Sequence, residues 1–152
     1  MTTTNSTQYA NIHVNAPQIA DPRDEGGRLV PLTFTHTVAS GETGGASAGA
    51  SDEVRLTVVP ANSEVLYLFE SHEAMGATTT AGVTLTIGDA GDPDRYLSNA
   101  DMDAAGNNAG IILFAGLRSR QTSDTIVLAE WGTANPVVGQ TFKGFFLTVP
   151  GS

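Results

Sequence analysis

Five aspartates, Asp89, Asp92, Asp94, Asp101 and Asp103, crowd one short stretch of the chain. Hard cations such as calcium take several carboxylate and carbonyl oxygens, so this is the residue type and density that a cation site needs. The spacing does not follow the EF-hand, which requires Gly at its sixth position and a terminal Glu. Gly-Asp and Asp-Pro pairs are also ordinary turn chemistry, because an Asp side chain accepts hydrogen bonds from the backbone just after it. The stretch is therefore read as turn-forming, with no metal assigned. His13, His36 and His72 lie far apart without metal-ligand spacing. The chain has no cysteine, which excludes thiol chemistry and disulfides. Its 16 acidic residues could supply an acid and a base, yet no pair is marked out by context. No nucleophile elbow of the G-x-S-x-G type, no phosphate-binding loop and no dinucleotide fingerprint is expected, and Ser119 and Ser123 have no evident His and Asp partners. The expectation is a protein that is not an enzyme and carries no cofactor.

Charge narrows the partners. A formal net charge of −9 with a single lysine, Lys143, repels phosphate backbones, so nucleic acid is not an expected partner. The hydrophobic segments have strand length, far short of the ~20 apolar residues of a membrane-spanning helix. The N-terminus MTTTNSTQYANIHV has neither the basic nor the apolar region of a secretory signal. Arg118 and Arg120 form the one close basic pair, suited to an acidic patch on a partner or simply solvated. Trp131 and Tyr96 could stack on sugar rings; a lone Trp ending an amphipathic strand is more often core or interface.

The elements that must position these groups read as strands. The clearest is Val83–Ile87, where Val83, Leu85 and Ile87 alternate with Thr84 and Thr86. It leads into a polar stretch, Asp89 to Asp103, expected to be a long loop anchored by Tyr96 and Leu97. Arg28–Val38 is expected as a strand with Leu32, Phe34, His36 and Val38 on one face, His36 being a hydrogen-bonded core or interface residue. Ser40–Ser51, made of small residues, reads as an unanchored surface loop. Further strands are expected at Glu53–Val59 (Val54, Leu56, Val58 inward) and at Glu64–His72 (Val65, Tyr67, Phe69 on one side). A short helical turn over Ser71–Met75 is compatible with the sequence. Gly110–Ala115, Thr125–Trp131 and Gln140–Val149 complete the strand set. Strands at this spacing, with Gly, Asn and Pro turns, predict an all-β, antiparallel two-sheet β-sandwich, with a jelly roll as the candidate topology. Residues 28–152 form that domain, and residues 1–27 an extended, flexible N-terminal arm. Within the arm, Tyr9, Ile12 and Val14 are the apolar residues that could anchor it on a neighbouring subunit.

IGDAGDPDRYL at the end of a strand, the later ADMDAAG, and a final strand after an Asn-Pro-x-x-Gly turn carry a resemblance. Over roughly Val54 to Val149 the chain resembles small virion structural proteins of tailed bacteriophages, of the head decoration (cement) type. The resemblance implies a non-enzymatic sandwich on the capsid exterior. It further implies binding to the major capsid protein and, by the threefold symmetry of capsid sites, a homotrimer. Under this reading Tyr9, Ile12, Val14, Arg118 and Arg120 are the partner-binding candidates. Two alternatives stay open: a tail or head-fibre component, and a carbohydrate- or cell-surface-binding module.

Overall fold

A computed structural model describes residues 3–5, 29–45, 52–76, 82–109 and 120–150. They form β1 (Thr3–Asn5), β2 (Val30–Thr37), β3 (Glu53–Val59), β4 (Glu64–His72), β5 (Thr84–Asp89), β6 (Asp92–Asp101), β7 (Gly106–Ala109), β8 (Thr125–Gly132) and β9 (Thr141–Val149). Among the described residues there is no helix. Thr, Leu, Val and Phe are the commonest residues of these segments, and the β-branched and aromatic ones among them suit a pleated, half-buried surface.

One sheet has the order β1-β3-β8-β5-β6 and the other β2-β9-β4-β7. Within them β2 pairs with β9, β3 with β8, β4 with β7 and β5 with β6, all antiparallel. The order is nested: early strands take late partners, and successive strands mostly alternate between sheets. The architecture is thus the expected all-β antiparallel sandwich. One exception is β1, which lies parallel to β3, so Thr3–Asn5 join a sheet. Tyr9, Ile12 and Val14 and the expected Gly110–Ala115 strand lie outside the described residues.

The core sits between the two inner faces. Phe34, Phe142 and Phe146 come from one sheet, and Val54, Leu56, Leu85, Ile87, Tyr96, Val127 and Trp131 from the other; all are buried. Trp131 meets Phe142 edge-on at 5.3 Å, and Tyr96 meets Phe146 edge-on at 5.2 Å, so aromatic contacts bridge the sheets. Such pairs are worth about 0.5–1.5 kcal/mol each beyond the area they bury. Gly144 makes this packing fit: a side chain there would strike the Phe34 ring and the Phe69 carbonyl.

Irregular pairing corrects several expected faces. The register of β3 shifts between Arg55 and Thr57, so Val54, Leu56, Thr57 and Val59 are buried while Val58 is only half-buried. In β4 the shift lies between Val65 and Tyr67. Val65 and Leu68 therefore point inward, and Tyr67 and Phe69 share the outer face. A strict two-residue alternation cannot anticipate a bulge, which turns every later side chain over. The expected Asp89–Asp103 loop is mostly strand: β5 turns directly into β6, and consecutive Tyr96 and Leu97 are both buried at another register shift. Ser71 and His72 close β4, and no helical turn follows through Met75.

Candidate functional site

Three regions hold the residues with chemical potential: the aspartates, two buried carboxylate–histidine pairs, and the outer face of the β2-β9-β4-β7 sheet. The aspartates are dispersed into separate structural tasks. Asp89 Oδ1 accepts from the backbone N–H of Gly91 and Asp92, and Arg95 Nε donates to Asp89 Oδ2 at 2.6 Å. This fixes the β5–β6 turn. Asp94 accepts from Ser98 Oγ, and Asp101 from the backbone N–H of Asp103. Asp103 accepts from the backbone N–H of Gly82 and Val83, tying the β6–β7 connection to the start of β5. Among the described residues no three His, Asp or Glu side chains converge as a metal centre would require.

The first buried pair is His36 and Glu42. His36 lies on the inner face of β2, as its place in the alternation predicts, and is only 4% exposed. Its Nε2 donates to Glu42 Oε1 at 2.9 Å, while the backbone N–H of Ala39 and the indole N–H of Trp131 also donate to Glu42. Burial pushes the Glu42 carboxyl up. The hydrogen bonds from His36, Ala39 and Trp131 and the His36 charge outweigh it and hold Glu42 below the usual carboxylate range. Glu42 thus anchors a segment that composition alone presents as unanchored. Gly45, in the same segment, bridges to Gly132, and Asp52 accepts from Thr43.

The second pair is Glu70 and His72 on the inner face of β4. Glu70 is fully buried. His72 Nδ1 lies 3.1 Å from both Glu70 oxygens, Asn108 of β7 donates to Glu70 Oε2 at 2.9 Å, and His72 Nε2 lies 3.0 Å from the Ala104 carbonyl oxygen. Burial dominates here and raises the Glu70 carboxyl above its usual range, despite the bonds from Asn108 and His72. Register places His36, Phe142 and His72 side by side across three neighbouring strands. Sequence reading missed both Glu partners, because Glu42 sits among small loop residues and Glu70 among alternating apolar ones.

On the opposite surface of the same sheet the Phe145 ring stacks with Tyr67 at 6.2 Å and with Phe69 at 5.7 Å. Leu147 pairs with Tyr67 on one side and Pro31 on the other. Exposed Thr33, Thr35, Thr37 and Lys143 make the rest of this face polar. The outer face of the sheet therefore carries a half-buried aromatic strip beside a polar field.

The other singled-out residues fall as follows. Trp131 and Tyr96 are fully buried, so neither offers a sugar-stacking platform. The Tyr96 hydroxyl accepts from Gln121 Nε2 at 3.2 Å, and burial pushes its pKa up to about 12. Arg120 is exposed and bridges to Glu64 of β4 through the backbone; Arg118 lies outside the described residues. Residues 45–49 spell Gly-Ala-Ser-Ala-Gly, the letters of a nucleophile elbow, which corrects the expectation that the chain holds no such pattern. An elbow is a strand-to-helix turn. Ser47 itself is outside the described residues, and the chain goes on into strand β3.

No protein-family model matches the chain, and no curated protein matches it. Solved structures do share its fold. A chain of the capsid of Ralstonia phage GP4 superposes with a TM-score of 0.74 at 15% identity, covering 99% of this chain and 99% of that one. A chain of the capsid asymmetric unit of cyanophage Pam1 gives 0.57 at 20% identity, covering 93% and 99%. A chain of the acidic stable capsid of Helicobacter pylori bacteriophage KHP30 gives 0.56 at 12% identity, covering 82% and 90%.

Proposed function

We propose that this chain is a phage virion structural protein that decorates the head exterior and stabilises it by binding the major capsid protein lattice. The observation that carries the reading is the end-to-end likeness to a chain of a phage capsid, covering 99% of both chains. The eight nested strands are read as a jelly roll of two Greek keys, β2-β9-β4-β7 facing β3-β8-β5-β6. The working state is a homotrimer at threefold positions. Tyr67, Phe69, Phe145 and Leu147 form the sheet surface that the lattice would cover. Tyr9, Ile12, Val14, Arg118 and Arg120 are the supplementary contacts.

The mechanism is mechanical. Burial of apolar surface across subunit junctions adds free energy that shell expansion must break, at about 25 cal/mol per Å² before the costs of association. The test is cosedimentation of the purified protein with capsid shells that lack it. Wild type is expected to pellet with shells, and Phe145→Asp to weaken binding at least tenfold while keeping its circular dichroism spectrum. Unchanged binding by Phe145→Asp would remove the sheet face from the interface. Failure of wild type to bind any shell, together with affinity for glycans, would favour a carbohydrate-binding module; recovery from purified tails would favour the fibre role.

A further inference from the structure

The two ring nitrogens of His72 face groups that can only accept, or that accept when ionised. The Ala104 carbonyl has no proton to give, so His72 Nε2 carries the hydrogen of that 3.0 Å bond. Nδ1 faces both oxygens of the Glu70 carboxyl at 3.1 Å. A bare Nδ1 against an ionised carboxylate would set lone pair against lone pair in a fully buried site. One proton must therefore lie between them, on Nδ1 as an imidazolium or on Glu70 as a carboxylic acid. Both forms are neutral as a pair, and both keep every hydrogen bond.

The geometry matters because of what the pair holds. Asn108 belongs to β7, a four-residue strand paired to β4 at the sheet's edge, and donates to Glu70. Ala104 belongs to the turn that leads into β7. Gly106 backs onto the ring, where an added side chain would come within 3.4 Å of His72 Nε2. We infer that the proton shared by Glu70 and His72 is a clasp that keeps edge strand β7 and its leading turn on β4, and that the clasp opens as pH rises.

The surrounding ionisable groups are otherwise engaged. Asp103 binds backbone at Gly82 and Val83, Asp101 binds the Asp103 N–H, and Glu73 accepts from the Thr141 N–H. Lys143 of β9 is exposed, paired across from Ser71. The His36–Glu42 pair lies beyond Phe142. Burial already raises the Glu70 carboxyl, which is the direction that retains a proton. Removing it leaves one uncompensated buried negative charge, relieved when β7 separates and water enters.

The sign follows from proton counts. Between the ordinary Glu and His values, about 4.3 and 6.5, folded and open forms bind the same number of protons. Above about 6.5 the open form releases the His proton while the clasped form holds it, so clasping weakens with rising pH. The experiment is NMR on the full-length, uniformly labelled chain. At pH 7.5 it should show either both His72 ring nitrogens protonated or a protonated Glu70 carboxyl. The β7 amides, after correction for intrinsic exchange, should lose protection with a slope approaching tenfold per pH unit. Amides of β8 and β9 should not share that slope. Glu70→Gln offers an amide that donates to a neutral Nδ1 and accepts from Asn108, so above about pH 6.5 its β7 protection should be independent of pH. A singly protonated His72 beside an ionised Glu70, or an equal slope in wild type and Glu70→Gln, would overturn the inference. The ring-nitrogen measurement needs no variant and decides the question even if Glu70→Gln fails to fold.

Discussion

The two buried carboxylate–histidine pairs share one sheet and one chemistry, yet their carboxylates move in opposite directions. Glu42 receives donors from three different parts of the chain, His36, the Ala39 backbone and Trp131, and is held ionised. Among the described residues Glu70 receives only Asn108 besides its histidine, is fully buried, and is pushed toward the neutral acid. The difference shows that the number and kind of donors, not the presence of a histidine, decide whether a buried carboxyl keeps its charge. A carboxylate surrounded by N–H groups is a structural bolt. One with a single shared proton is a catch.

The largest way to break the comparison is at Trp131, which serves the Glu42 side alone. Trp131→Ala should cost about 3–5 kcal/mol in urea unfolding, from the cavity beside Phe142 together with the lost indole donor. The Glu→Gln substitutions sharpen it. Glu42→Gln turns an –NH2 toward groups that are themselves donors and should cost about 1–3 kcal/mol at pH 7. Glu70→Gln can satisfy both neighbours and should cost less than about 1 kcal/mol in the same assay. Acid titration separates them again. The Glu42 carboxyl is depressed in the folded state, so its stabilisation is full above about pH 4.3 and fades as pH falls through its folded value. Thermal unfolding of Glu42→Gln should therefore lack part of the acid limb seen in wild type. The smallest effect belongs to an ordinary bridge. Arg95, partly solvated beside Asp89, should contribute only about 0.2–1 kcal/mol by Arg95→Ala thermal unfolding.

Much of the sandwich is legible in the alternation of Thr with apolar residues. β2 presents the face its sequence announces, with Phe34, His36 and, just past its end, Val38 inside. The misreadings at Val58 and Tyr67 come from bulges, where pairing geometry inserts a residue without changing composition. The Asp-rich stretch looks like loop because Asp, Asn and Gly are poor strand formers. In β6 the pairing with β5 and the burial of Tyr96 and Leu97 override that propensity. The Glu partners were illegible for a different reason: each stands near its histidine in sequence, but Glu42 lies among small loop residues and Glu70 among apolar ones, and the donors that complete each site, Trp131 and Asn108, come from far along the chain. The half-buried aromatic strip of the outer face was equally hidden, since alternation alone does not say which face of β9 turns inward. Both faces carry phenylalanine, Phe142 and Phe146 on one and Phe145 on the other.

The nested order also governs how the chain can be made. Both sheets are held together by the two strands furthest along the sequence: β8 lies between β3 and β5, and β9 between β2 and β4. While a ribosome is still short of residue 125, β2 and β4 have no common neighbour, and β3 has none to join it to β5. The nascent chain must leave these strands waiting, with their edges open, until the centre of each sheet is delivered. Folding then closes over long sequence separations at once, which makes it slow, and makes that interval the time of greatest exposure to mispairing with other copies.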